Sequence, residues 1–398
     1  MSILVLNAGS STLKFGLFEP GAREPQVAGN VDWDGPAQSA ELIVRSLGEP
    51  ERRQPCEATD HRSAASLVIK ALSEPGRGSS PIRAVGHRIV HGGQAFVESV
   101  LVTPDVAKAI ASLSDLAPLH NPQAVAVLET ATASLPGLPH VAVFDTSFFA
   151  GLPRSSAVFP VPFEWYKERG IRRFGFHGIS HSYCAGRAAE VLGRTPEGLR
   201  LVICHLGNGC SAAAVRDGRA VDTTMGYTPL DGLMMGTRAG AVDPGILLHL
   251  QQREGFTAQE LDHALNHQSG LLGVSGVSSD FRKVEAASLE GNDRARLALE
   301  IYAARIRSAI GALSATLGGL DALVFTAGVG ENSARLRTSV CEGLRFLGIE
   351  LDPQLNAEAR PDADIAQPGA SIRVLILHTR EELMIARETG RLALKQNA

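Results

Sequence analysis

The stretch ILVLNAGSSTLKFGLF, Ile3–Phe18, runs an apolar strand into Asn, Ala, Gly and Ser and then sets Lys14 inside a second apolar run. Joining two strands needs turn residues, and Gly tolerates positive φ, so a plain hairpin accounts for the pattern. The same residues suit a phosphate cradle: Gly lets backbone N–H groups approach an anion, Ser10, Ser11 and Thr12 add hydroxyls, and Lys14 adds charge. One hairpin by itself leaves both readings open.

A second stretch shares the plan. LVICHLGNGCSAAAVRDGR, Leu201–Arg219, is again an apolar strand, a turn with Gly207 where the first has Gly9, and a strand of small or apolar residues. A third Gly-rich turn, LVFTAGVGENSARLR from Leu323, follows a strand and enters a helix. Repetition of a supersecondary unit at half-chain distance predicts a duplication, with two hairpins holding a polyphosphate between two domains.

Elsewhere short apolar strands alternate with amphipathic helices, which predicts α/β layering. TDHRSAASLVIKAL carries Ala64, Leu67, Val68, Ala71 and Leu72 at helical spacing behind a Thr59/Asp60 cap. In NPQAVAVLETA, Asn121 reads as N-cap and Pro122 as the first helical residue. Thr257–Glu260, TAQE, reads as a capping box. The longest helix is expected within Asn292–Leu317, with Leu299, Ile306, Ile310, Leu313 and Leu317 forming its apolar stripe.

Bulk properties narrow the function. A chain of 398 residues suggests about two domains. With 38 basic and 42 acidic residues it offers no basic field for nucleic acid or anionic lipid, so small-molecule partners are expected. The five cysteines are scattered and none forms a C-x-x-C pair, which argues against a disulfide framework or zinc site and fits a reducing cytoplasm. MSILVLN enters a strand without a basic leader, and no run of 18 apolar residues follows, so a soluble cytoplasmic protein is expected.

Familiar nucleotide and hydrolase motifs do not fit. There is no G-x-x-x-x-G-K-[ST] and no G-x-S-x-G. GVGENS has two of the three glycines of a dinucleotide fingerprint. HRIVH and HGISH each set two histidines four apart, but neither has the Glu of a zinc-protease helix. Arg88, Asp145, His177, Arg238 and Glu381 sit in turn-like or Gly-rich company; arginines there suit a bidentate grip on a small carboxylate or phosphate.

ILVLNAGSSTLKFGLFE, GHRIVHGG, APLHNP, VFDTSFF, RRFGFHGISH, HLGNGCS, MGYTPLDGLMMGTRAG, DPG, AGVGEN and EELMIAR together resemble the acetate kinase family, in family order along the whole chain. The resemblance implies the duplicated actin-like (ribonuclease H-like) α/β ATPase fold, two domains with an interdomain cleft. The first would comprise 1–147 plus 380–398 and the second 148–379. It implies reversible phosphorylation of acetate by ATP, giving ADP and acetyl phosphate, with Mg²⁺ or Mn²⁺, and a homodimer through the second domain. Asn7 and Glu381 match the family's metal positions. Lys14, His205, Leu206, Gly207, Asn208, Gly209, Asp280, Phe281, Arg282, Gly328, Val329, Gly330, Glu331 and Asn332 match its ATP segments. Arg88 matches the carboxylate receiver, and Val90, Leu119, Phe176 and Pro229 the methyl pocket, with His120 in support. His177 and Arg238 match residues that stabilise the phosphoryl group in flight, and Asp145 a residue described as a proton acceptor.

A carboxylate is already ionised near pH 7 and needs no base, so orienting Arg88 or a metal-bound water is the more economical role for Asp145. Departures from the family pattern are Thr12 for Ser, Arg380 before the Glu pair and Ala241 after TRAG. Arg380 is expected to alter charge beside the metal position. Propionate or butyrate kinase, and a non-catalytic ATP-binding module, are the competing readings.

Overall fold

The structure, a computed structural model, describes residues 2–9, 11–33, 40–73 and 81–394. Ser10, one of the expected hydroxyl donors, lies outside them, as do the last four residues. The chain forms two compact units, Met1–Ala150 with Arg380–Ala398, and Gly151–Thr379.

The first unit is built on strands β1 (Ser2–Ala8), β2 (Thr12–Phe18), β3 (Val27–Asp32), β4 (Ala40–Ser46), β5 (Arg52–Cys56), β6 (Ile82–Ile89), β7 (Val100–Leu101) and β8 (His140–Phe144). They lie in the order β5-β4-β3-β2-β1-β6-β8-β7. β1 through β5 pair antiparallel, whereas β6 runs parallel to β1 and β8 parallel to β6. Every residue of β1 is buried, as expected of a central strand covered on both faces. Helices His61–Ser73 and Asn121–Ser134 pack Ala64, Val68, Val127 and Ala131 against Leu4, Leu6 and Val85 on one face. Helix Glu381–Leu394 covers the other, at Gly86, where a Cβ would fall 2.2 Å from Thr389 Oγ1.

The second unit holds β9 (Arg200–Leu206), β10 (Cys210–Arg216), β11 (Arg219–Thr223), β12 (Ala322–Thr326), β13 (Ala363–Asp364) and β14 (Arg373–Ile376), ordered β11-β10-β9-β12-β14-β13. β9, β12 and β14 are parallel, and β9, β10 and β11 antiparallel. The core β3-β2-β1-β6-β8 of one unit is therefore repeated as β11-β10-β9-β12-β14 in the other. Both first hairpins close through three residues, after Ala8 and after Leu206, with Gly first in each. At Gly9 a Cβ would lie 2.6 Å from Thr12 Oγ1, so only glycine fits that turn as built. The predicted duplication is thus present strand for strand. The final helices are exchanged: Gly178–Val191, which follows the first unit's last strand, packs on β9 and β12.

Local expectations fare unevenly. Thr257 and Glu260 form the capping box, and Asp60 caps His61–Ser73 through the Ser63 N–H. That helix turns Ala65 and Ile69 fully inward and leaves Leu67 and Ala71 half-buried. In Asp293–Leu317 the stripe runs through Ala295, Ala298, Tyr302, Ile306, Ile310, Leu313 and Leu317, with Leu299 at its edge. Asn121 is a correction: it is the first helical residue, with His120 at the cap position, because its amide is spent on His91. Cys184, Cys204, Cys210 and Cys341 are buried, and burial pushes the Cys184 thiol up to about 12, so it packs as an inert side chain. Among the described residues no helix is long and apolar enough to cross a membrane.

His87 on β6 and His140 on β8 form a buried pair, Nε2 to Nδ1 at 2.9 Å. Burial drives His87 well below the ordinary imidazole value of 6.5 and also lowers His140. The unfolded rings take up protons below that value and the folded ones resist, so stability is intact above it and is lost as pH falls through it. Each ring contributes a slope of up to about 1.4 kcal/mol per pH unit. The urea midpoint is expected to drop between about pH 7.5 and 5.5, and to drop less in the His87→Leu/His140→Leu variant. An unchanged pH dependence in that variant would contradict the assignment.

Candidate active site

Parallel neighbours bring their carboxyl ends to one edge of a sheet, where α/β proteins bind ligands. In the first unit that edge carries Asn7 near the end of β1, Arg88 near the end of β6 and Asp145 just after β8. Strand alternation puts Asn7 and Arg88 on the face covered by Glu381–Leu394. The Arg88 guanidinium donates from Nε and Nη2 to Asp145 Oδ2 at 3.1 and 2.7 Å, and from Nη1 to Asn7 Oδ1 at 3.1 Å. The Asn7 amide nitrogen donates onward to Glu382 Oε1 at 3.0 Å and Glu381 Oε2 at 3.4 Å.

Of the five guanidinium N–H groups three are used, leaving one on each Nη to meet an anion. The side chain is 16% exposed, so that pair is reachable, while Asp145 at 1% is sealed beneath it. Burial works against the Arg88 charge, but Asp145, then Glu381 and Glu382, outweigh it and hold the pKa above the ordinary arginine value. One cation among three carboxylates leaves a formal charge of about −2 here.

Lys14 is exposed and directly opposite Asn7 across the β1–β2 pair, on the same face. Arg380 pairs with Glu24 and reaches the Arg23 carbonyl, so its charge is matched. Val90 is buried just beyond β6, and Leu119 and His120 are half-buried before the Asn121 helix. Asn121, which sequence reasoning passed over as a site residue, clamps the His91 backbone, accepting its N–H at 3.1 Å and donating to its C=O at 3.0 Å. Thr146 accepts the Gly92 N–H at 3.0 Å, so the loop after Arg88 is fixed from two sides.

In the second unit the corresponding edge carries Gly207–Gly209 after β9, Ala327–Asn332 after β12 and His378–Thr379 after β14. Three non-glycine residues have positive φ among those described: His177, Asp217 and Ala327. Asp217 occupies the tight turn between β10 and β11; the other two open helices at motif loops, where such strain, about 1–3 kcal/mol each, points to function. His177 stacks on His205 with ring centroids 4.2 Å apart, and its Nδ1 lies 2.9 Å from Ser211 Oγ. His205 Nδ1 is held by Ser180 Oγ at 2.8 Å, and Ser180 by Thr379 Oγ1 at 2.7 Å. Ser211, Ser180 and Thr379 carried no signal in the sequence.

The turn comes close to the ring. A Cβ on Gly209 would sit 3.3 Å from His177 Nε2. Because the stack and Ser211 leave the imidazole little room to yield, Gly209→Ala is expected to lower kcat about tenfold or more with near-normal folding. Steady-state kinetics beside a thermal melt would check this, and unchanged kcat would contradict it.

The Arg238 segment is tied to the same turn, since Gly236 N–H donates to Asn208 C=O at 3.0 Å and a Cβ there would strike Asn208. Half-buried Arg238 is pushed below the ordinary arginine value by desolvation, with Cys210 acting the other way. His177, the Gly207–Gly209 turn and Arg238 are thus assembled in one unit. Glu331 accepts from Ala327 N–H at 2.9 Å and pairs with His378 Nδ1 at 2.7 Å, fixing the second Gly-rich turn. Asn332 donates to Gly328 C=O at 2.8 Å across the same short helix, with Val329 and Gly330 between. Asp280 caps the helix Phe281–Leu289 and pairs with exposed Arg282, while Phe281 is buried against Tyr302. Phe176 is buried beside His177, and Leu206 within β9; Pro229 is half-buried. The histidines of HGISH meet over the Ser211 hydroxyl, and those of HRIVH lie on and just past β6.

A duplicated five-strand α/β unit with glycine turns at the carboxyl edge of each parallel core is the actin-like ATPase fold, the class in which phosphoryl-transfer enzymes are found. Within that class the chain belongs to the acetokinase family, whose sequence pattern matches residues 2–387. It is 48% identical to an acetate kinase of Nostoc sp. over 98% of both chains. The crystal structure of Porphyromonas gingivalis acetate kinase superposes with a TM-score of 0.89 at 40% identity, covering 98% of this chain and 99% of that one. A propionate kinase from Francisella tularensis gives 0.91 at 37%, with the same coverage.

Proposed function

We propose that this enzyme phosphorylates acetate with ATP, reversibly, by direct in-line transfer to the carboxylate oxygen. The observation that carries the reading is the Arg88 fork, oriented by Asp145 and Asn7 with one N–H left on each Nη. Arg88 receives the acetate carboxylate, and Val90, Leu119, Phe176 and Pro229, with His120 in support, are the residues assigned to its methyl group. Lys14, the His205–Gly209 turn, Asp280–Arg282 and Gly328–Asn332 hold the nucleotide. His177 and Arg238 meet the charge that spreads over the transferring phosphoryl oxygens, where positioning and neutralisation do most of the catalysis. Asp145 orients Arg88 and takes no proton.

Among the described residues no three or more His, Cys, Asp or Glu side chains form a metal-ligand group, so an ion arriving with the nucleotide would find few protein oxygens. Glu381, with Asn7 and neighbouring Glu382, fits Mg²⁺, a hard ion that keeps most of its water; Mn²⁺ accepts the same donors. When bound, the ion neutralises phosphate charge, and it also offsets the local negative excess around Arg88 so that an anion can enter. Buried reduced thiols suit a cytoplasmic setting.

A second copy of the chain is the expected partner. Helix Pro244–Arg253 has no buried residue, and Ile246 and Leu248, on different sides of it, are 52% and 54% exposed, apolar side chains in want of cover. Sedimentation should give a dimer, dissociated by Ile246→Glu/Leu248→Glu; a monomeric wild type would end the proposal.

Hydroxylamine trapping with ATP, Mg²⁺ and acetate, propionate or butyrate tests the activity. Acetohydroxamate should form fastest, with propionate close behind because one methylene is worth only about 1–3 kcal/mol. Tight ATP binding with no trapped hydroxamate would overturn the catalytic reading.

A further inference from the structure

We propose that Ser211 is a positioning residue that fixes the ring tautomer of His177, as the middle of an imidazole–hydroxyl–imidazole chain ending at His181. The inference rests on the reading of His177 as a hydrogen-bond donor to the phosphoryl group. Ser211 lies on β10 opposite His205 and is fully buried. Its Oγ is 2.9 Å from His177 Nδ1 and 2.8 Å from His181 Nε2. The four-residue spacing of the histidines, at the start of helix Gly178–Val191, brings both rings to one side of the helix.

A hydroxyl carries one proton, so between two ring nitrogens it donates to one and accepts from the other. If it donated to His181, a neutral His177 would hold its proton on Nδ1 and turn a bare Nε2 lone pair toward the Gly209 turn. A phosphoryl group presents only oxygen lone pairs, so that arrangement opposes binding. In the other arrangement His181 Nε2–H donates to Ser211, Ser211 donates to His177 Nδ1, and His177 carries its proton on Nε2. That nitrogen is the one a Gly209 Cβ would approach to 3.3 Å. His181 is fully buried and burial keeps it neutral, so it supplies the chain with one ring proton and no charge.

The stack on His205 fixes the plane of the His177 ring, and the hydroxyl fixes which nitrogen bears the proton. Outer partners that orient metal-bound histidines account for about 10–100-fold, and an effect of that order is expected for His177. Ser211→Ala removes the link while leaving both rings; Ser211→Thr keeps the hydroxyl and adds one methyl group, a β-branched side chain of good strand propensity.

The test combines imidazole ¹⁵N–¹H correlation spectra of ¹⁵N-histidine-labelled enzyme, assigned with His177→Gln, and steady-state acetohydroxamate kinetics. Wild-type His177 is expected as the Nε2–H tautomer. Ser211→Ala should mix the tautomers and lower kcat about 10–100-fold with both KM values within about twofold, and Ser211→Thr should restore both readouts. A wild-type Nδ1–H tautomer would overturn the proposal, as would a slowed Ser211→Ala enzyme whose His177 spectrum is unchanged. The wild-type spectrum decides even if Ser211→Ala does not fold. Absence of acetohydroxamate from the wild type would instead count against the proposed function, with the tautomer still read directly.

Discussion

Arg88→Leu is expected to cut kcat/KM for acetate by about 10²–10³-fold, mostly through KM, because it removes a charge-assisted carboxylate partner worth roughly 2–5 kcal/mol. A second loss accompanies the first. Asp145 is 1% exposed and accepts from two nitrogens of this guanidinium, so the variant leaves a carboxylate buried beside Glu381 and Glu382. Breaking such a pair from one side typically costs about 3–5 kcal/mol of stability. Arg88→Lys should recover little, since a point-charged ammonium cannot bridge Asp145 and Asn7 while presenting two further N–H groups. Steady-state kinetics and urea unfolding check both parts; an acetate KM within about twofold of wild type in Arg88→Leu would rule out the carboxylate-receiving role. Asp145→Asn separates orientation from proton transfer. It should weaken acetate binding without removing an ionisation from the pH–rate profile, whereas loss of a basic-catalyst ionisation would make Asp145 a proton acceptor.

An effect at least as large, and on kcat instead of KM, is expected at Arg238. Desolvation already disfavours its charge, so an arriving phosphate is better matched there than at a solvated arginine. Arginines that meet the charge of a transferring phosphoryl group are worth about 10³–10⁵ in kcat. Arg238→Ala should therefore lose at least about 10³ in kcat with the KM for acetate little changed, the reverse of the Arg88 pattern. An Arg238→Ala enzyme impaired only in acetate KM would place the residue in binding instead.

Features set by local covalent and steric limits were legible in the sequence. Gly9 sits in a tight turn where a Cβ would come within 2.6 Å of Thr12 Oγ1, and the capping box at Thr257 is a contact within four residues. Duplication was legible because the hairpin and its glycine recur together. Features set by distant partners were not. Asn121 looks like a cap, and only the fold brings it to His91, thirty residues away. Ser211 sits among alanines in a buried strand and reads as packing until His177 and His181 close on it. Glu381 was picked out with Asn7, but its neighbour Glu382 was not, and only the Asn7 amide, 3.0 Å from its Oε1, sets it apart from the rest of the helix. The HGISH spacing correctly implied two rings side by side but could not say that a hydroxyl lies between them.

Direct transfer, with no residue taking the phosphoryl group covalently, is most directly tested by stereochemistry. ATP made chiral at the γ-phosphorus with three oxygen isotopes, turned over with acetate, should yield acetyl phosphate of inverted configuration, the outcome of a single in-line displacement. Retention would mean two displacements through a phosphorylated side chain, and would contradict it.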